Sequence, residues 1–119
     1  EGEDGFRERE SKALQKSVEK DNVVISTGGG IVTIEENRDL MSAKGKVVYL
    51  KTPIEIQLNR TENDKKRPLL SQGSREQTLR ILKKERDPQY EEIADITINQ
   101  DQQKNRNVVI DEIIDKLSN

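Results

Sequence analysis

Residues 22–32 read "NVVISTGGGIV", and the fold turns on how this stretch is understood. Val23, Val24 and Ile25 are apolar on successive positions, the pattern of a strand buried on both faces of a parallel sheet. Ser26 and Thr27 close that run, and Gly28, Gly29 and Gly30 follow without interruption. Three adjacent glycines lose more chain entropy on folding than any other triplet, so something must offset the loss. Two physical reasons are open. Either the chain turns where no Cβ fits, or a ligand comes so near that a side chain would block it. One glycine serves a tight turn; a triplet at the carboxyl edge of a buried strand, where open α/β folds bind ligands, favours close approach.

Outward from this stretch, apolar residues recur in short periodic segments. Before it, Phe6, Ala13, Leu14 and Val18 mark one face of a helix expected over Gly5–Lys20. After it, Thr33 and Glu36 fit a capping box opening a helix that ends near Gly45. "KVVYL" from Lys46 is a second buried-strand pattern. "TPIE" from Thr52 supplies an N-cap, a proline at the first helical position and Glu55 at the third, for a helix carrying Ile54 and Leu58 to about Thr61. "ENDKKRPLLSQGS" from Glu62 is polar and punctuated by Pro68 and Gly73, a loop. Ser74 with Gln77 predicts another capped helix, with Leu79 and Leu82, that Pro88 ends or sharply bends. "DITI" from Asp95 is a third strand. Val109, Ile113 and Leu117, with Ile110 and Ile114, predict the inner stripe of a last helix. Helices alternating with buried strands mean parallel strands joined by right-handed crossovers, an α/β layer fold.

Composition narrows the chemistry. The 119 residues are 37% charged and 30% hydrophobic, enough for at most one domain with a thin core. The net charge of −2 gives nucleic acid or an anionic membrane no bulk attraction. Cysteine and histidine are both absent, which removes disulfides, thiol nucleophiles, thiolate or imidazole metal ligands and the commonest general base. No run nears the roughly 18 apolar residues of a membrane span, and no signal peptide is visible; a cytoplasmic protein is expected. The chain opens on Glu1 inside a helical pattern, from which a fragment of a longer protein is expected.

The glycine triplet does not match a phosphate-binding P-loop, because no lysine follows at the required spacing, nor does it match the dinucleotide fingerprint. Arginines carry the remaining signal. Arg7 follows Phe6, Arg60 ends a helix, Arg67 precedes Pro68 in the polar loop, and Arg86 precedes "DP". A lone surface arginine is ordinarily solvated charge. Arg67, in a long loop with Leu69 and Leu70 able to dock, has the chemistry of a lid that delivers a permanent cation to phosphate oxygens as water leaves. Arg86, just before a helix break, can present a fork to a planar carboxylate. Ser26 has two readings of equal standing: holding a metal-bound water near phosphate, or capping local backbone.

The set "GEDGFRERE", "VVISTGGGIV", "KVVYL", "RPLL" and "ERDPQYEEIAD", in this order and spacing, resembles shikimate kinase, most closely the proteobacterial type, over nearly the whole chain. The resemblance implies a three-layer α/β/α P-loop kinase fold like that of nucleoside monophosphate kinases. It also implies phosphorylation of the 3-hydroxyl of shikimate by ATP and Mg2+, within chorismate and aromatic amino acid biosynthesis, by a monomer when full length. It assigns the shikimate carboxylate to Arg7 and Arg86, and the ring hydroxyls to the backbone of Gly29. Gly28 and Gly30 let that backbone pass close to the substrate. Arg67 becomes the lid arginine that meets the transferring phosphate, Arg60 lies against adenine, and Ser26 helps order the magnesium's water shell. Glu10, one helical turn beyond Arg7, orients its guanidinium.

One departure matters. No "GxxxxGK(S/T)" occurs in these residues. The expectation is therefore residues 1–119 as the C-terminal part of a single shikimate kinase domain, lid loop at about 61–75, with the first two strands of the parallel sheet absent. The first strand would lie between "VVIST" and "KVVYL", so two strand edges would face a gap, and such a fragment would fold poorly and be inactive alone. Two rivals remain: another P-loop small-metabolite kinase such as a gluconate kinase, or a non-catalytic shikimate-binding remnant.

Overall fold

A computed structural model describes residues 2–62, 72–100 and 105–118, apart from the side chains of residues 59–62 and 72–74. The chain divides into two compact units, residues 1–47 and 48–119.

The first unit is built on helix α1, Gly2–Ser17. It starts and stops three residues earlier than its periodicity predicts. Leu14 is its buried anchor, whereas Phe6 is half-exposed. A 3-10 turn, Gly29–Thr33, begins at the second of the three glycines and buries Ile31 and Val32. Helix α2, Glu35–Lys44, packs against that turn. The expected capping box does not form: Ile34 occupies the N-cap position without a side-chain cap. The Thr33 hydroxyl is engaged elsewhere, donating to the Gly30 carbonyl at 2.7 Å.

The strand expected at Val23–Ser26 is not one. The segment lies outside any regular element, and Val24 is 99% exposed. The reason is a missing neighbour. A strand exists only as part of a ladder, and the ladder among the described residues is the parallel pair in the second unit.

That pair is β1, Val48–Lys51, beside β2, Ile96–Asn99, in the register Val48↔Ile96 to Lys51↔Asn99. Both begin slightly later than their hydrophobic runs predict. Ile98 is fully buried, and Ile96, Ile93, Ile54 and Ile56 complete the core. At about 25 cal/mol per Å2 of apolar surface, each such side chain contributes roughly 2 kcal/mol. Between the strands come helix α3, Ile54–Glu62, and helix α4, Gln72–Ile93. Helix α4 begins before Ser74, so Ser74 lies inside it and not at its N-cap position. It also runs through Pro88, which neither ends it nor divides it. Helix α5, Arg106–Leu117, is capped by Asn105, whose side chain accepts from the Val108 N–H at 3.0 Å. Its predicted inner stripe is narrower than expected. Val109 and Ile113 are half-buried, while Ile110, Ile114 and Leu117 are exposed.

Candidate functional site

The glycine question has a geometric answer in the first unit. Gly28 has φ −73° and ψ 158°, a conformation any residue adopts, and among the described glycines only Gly2 has a positive φ. Turn dihedrals are therefore not what requires glycine. Close approach is. A Cβ on Gly30 would overlap Nη1, Nη2 and Cζ of Arg7, and one on Gly28 would stand 3.3 Å from Oε2 of Glu10. The neighbour that comes close is an ion pair of the chain itself, where the sequence alone suggested the substrate.

That pair is made by one turn of α1. Arg7 Nη1 donates to Glu10 Oε1 at 2.8 Å, across a spacing of three residues that puts both side chains on one helix face. The side chains retain 21% and 13% of their exposure, so the contact is less screened than a surface pair. Phe6 supports the guanidinium from beneath, its ring centroid 5.2 Å from Cζ, within cation–π range. This accounts for the exposed Phe6: it serves the arginine, not the core. Glu3 stands farther off, at 3.8 Å from Nη2. A guanidinium has five donors; among the described residues Arg7 directs a hydrogen bond to Glu10, leaving donors suited to a carboxylate.

Gly29 and Ser26 are exposed. Ser26 offers one hydroxyl, and among the described residues no three acidic side chains gather to hold a cation.

In the second unit, Arg86 lies half-buried on α4 with its guanidinium beside the Tyr90 hydroxyl. Burial raises the Tyr90 phenol, and the Arg86 charge and hydrogen bond oppose that rise. The next residue, Asp87, accepts from the Tyr49 hydroxyl at 2.8 Å and pairs with Lys83 Nζ at 2.8 Å. Tyr49 and Tyr90 rings stack at 4.9 Å between centroids, and Lys51 pairs with Glu91 at 3.0 Å. Strand β1 thus grips the stretch of α4 just after Arg86. Arg60 is in α3, with its side chain outside the described residues, as Arg67 is altogether.

Sequence reasoning grouped Arg7, Glu10 and the glycines, which the structure places in contact through Gly28 and Gly30. It missed Thr33, Asn37 and Arg38, whose side chains hold the carbonyls of the glycine turn, and the Tyr49–Asp87–Lys83 network. A polar residue on the inner face of α2, at Asn37, was the available signal.

By its structural neighbours the chain has the fold of the P-loop class of small-molecule kinases. The match is specific: the shikimate kinase family model covers residues 1–118, and the chain belongs to the shikimate kinase family. Shikimate kinase 1 of Sodalis glossinidius (strain morsitans) is 52% identical over 118 residues, covering 98% of this chain and 68% of that protein. Shikimate kinase of Haemophilus influenzae (strain PittEE) is 48% identical over 120 residues, or 66% of its length. The structure of the Acinetobacter baumannii shikimate kinase in complex with shikimate matches with a TM-score of 0.85 at 44% identity, covering 98% of this chain and 65% of that one. The chain thus spans about two thirds of the length of these relatives. Among the described residues no helix is long and apolar enough to cross a membrane.

Proposed function

We propose that the protein transfers the terminal phosphoryl group of ATP to the 3-hydroxyl of shikimate, giving shikimate 3-phosphate and ADP. The observation that carries this reading is the Arg7–Glu10 pair seated on Gly30 and Gly28 in a chain of the shikimate kinase family. Such a fork is held in place before any substrate arrives, so little ordering remains to oppose carboxylate binding.

In this reading Arg7 and Arg86 hold the shikimate carboxylate, and the Gly29 backbone meets the ring hydroxyls. Gly30 acts through Arg7 and Gly28 through Glu10, as the bare surface on which that pair rests. Arg60 lies against adenine. Arg67 brings its cation to the phosphoryl group in flight, where charge stabilisation counts most because phosphoryl transfer depends on positioning and electrostatics. Mg2+ would neutralise phosphate charge, with Ser26 holding one of its waters. The phosphate cradle is not among these 119 residues, so the full-length protein is the form to assay. The reading includes a cytoplasmic monomer with no nucleic-acid partner.

A coupled ADP-release assay on the full-length protein, offered shikimate, quinate and gluconate separately, tests it. Turnover with shikimate far above the other two is expected. Preferential turnover of gluconate, or shikimate binding without ADP release, would overturn it in favour of another metabolite kinase or of a non-catalytic binder.

A further inference from the structure

Three successive carbonyls of the glycine turn are each held by a side chain that follows it in sequence. Thr33 Oγ1 donates to the Gly30 carbonyl at 2.7 Å, Asn37 Nδ2 to the Ile31 carbonyl at 3.1 Å, and Arg38 Nη1 to the Val32 carbonyl at 2.6 Å. A 3-10 turn has poor hydrogen-bond geometry of its own, and this one has no side-chain cap at its start. A backbone bond at its start, from the Ile31 N–H to the Gly28 carbonyl, is long at 3.4 Å. Asn37 and Arg38 thus orient two of its peptides from α2, and Thr33 a third from within the turn.

Asn37 is the member with least freedom. It is 2% exposed, and a buried amide is tolerated only when hydrogen-bonded, so its donor has one direction to point. Were packing the sole requirement, an apolar residue of the same volume would serve at this position. What the amide adds is direction, applied to the Ile31–Val32 peptide, one residue beyond the Gly30 Cα on which Arg7 rests.

We propose that Asn37, together with Thr33 and Arg38, is a positioning residue for shikimate: the three side chains fix the Gly30–Val32 peptides and thereby the seat of the Arg7 guanidinium. The inference rests on the reading that Arg7 and the glycine edge bind the shikimate carboxylate.

The test uses the full-length protein with Asn37→Leu, Thr33→Val and Thr33→Ser, and with Arg7→Lys as the control for the site itself. Steady-state kinetics with each substrate varied, shikimate affinity by calorimetry and thermal melting are read on all four. Losing one such hydrogen bond should raise the shikimate KM about tenfold in Asn37→Leu and several-fold in Thr33→Val. The KM for ATP should stay within about twofold, and Thr33→Ser, which keeps the hydroxyl, should behave as wild type. Should Asn37→Leu not fold, the exposed Thr33 pair decides the matter. An unchanged shikimate KM in a folded Thr33→Val or Asn37→Leu protein overturns the inference. So does a fall in melting temperature accompanied by equal rises in both KM values. If Arg7→Lys also leaves shikimate binding unchanged, the reading of the site fails with it; if Arg7→Lys weakens binding while the Asn37 and Thr33 variants do not, only the positioning inference fails.

Discussion

The guanidinium of Arg7 rests against the Cα of Gly30 so closely that a side chain at position 30 would occupy its space. The relationship is mutual. Glu10 holds the guanidinium from one side at 2.8 Å, and the bare backbone receives it on the other. Gly30→Ala adds one methyl group yet must displace a charged group from that seat. The shikimate KM should rise by about tenfold or more, because a misplaced fork forfeits charge-assisted hydrogen bonds. Combined with Arg7→Ala, the glycine change should lose most of its effect, since the two act as one unit. Additive losses in the double variant would mean that Gly30 acts on substrate without Arg7.

Arg86 and Arg67 should separate in kinetics. If Arg86 holds the carboxylate, its contact exists in ground state and transition state alike, so Arg86→Ala should raise the shikimate KM by roughly 10- to 100-fold. Its KM for ATP should be nearly unchanged. Arg67 is assigned to charge that redistributes as the phosphoryl group moves, so Arg67→Ala should lower kcat by about a hundredfold. An Arg86 variant altered only toward ATP, or an Arg67 variant with wild-type kcat, would contradict the respective role.

Tyr49 gives a pH-dependent prediction. Its phenol is pushed well above the ordinary 10.0, first by burial, then by its hydrogen bond to Asp87 and the charge of that carboxylate. A folded value above the unfolded one means the folded state retains the proton longer. The stabilisation is complete below pH 10 and declines as pH rises toward the folded value. Tyr49→Phe should lower stability by about 1 kcal/mol near neutrality, the net worth of a hydrogen bond. Above pH 10 the gap between wild type and variant should narrow. Urea unfolding of both proteins from pH 7 to 11 measures it; a constant gap would mean the phenolic proton does not contribute.

The helices were legible because their apolar periodicities are local, but their caps were not: α2 and α4 do not start at the capping boxes read in the sequence, and the Asn105 cap of α5 was not read. The two paired strands were legible as runs of apolar residues, to within two positions. Val23–Ile25 were not, because a hydrophobic run specifies burial only when a neighbouring strand accepts its backbone, and nothing in the run names that neighbour. At the site, Arg7 and Glu10 were legible through their three-residue spacing. The hold of Asn37 on Ile31 was not. It joins residues six apart across the change from a 3-10 turn to a helix, where no single periodicity applies.

Pro88 was read as a helix end and is an interior residue of α4. A proline there cannot donate to the Lys84 carbonyl, and its ring crowds the preceding turn, a penalty of about 3 kcal/mol in an isolated helix. Continuation therefore needs support from outside the helix, and it is present on both sides. Asp87 is tied to Tyr49 and Lys83; beyond the proline, Tyr90 stacks on Tyr49, Glu91 pairs with Lys51 and Ile93 is buried. Tertiary contacts with β1 thus overrule the local signal. Pro88→Ala restores the missing donor without touching those contacts, so it should stabilise the protein by about 1–2 kcal/mol, less than the full penalty because the unfolded chain also gains freedom. Chemical denaturation of the two proteins decides the point. A lower midpoint for the alanine variant would mean that α4 is fitted to the proline, and that the tyrosine–aspartate grip is not what carries the helix past it.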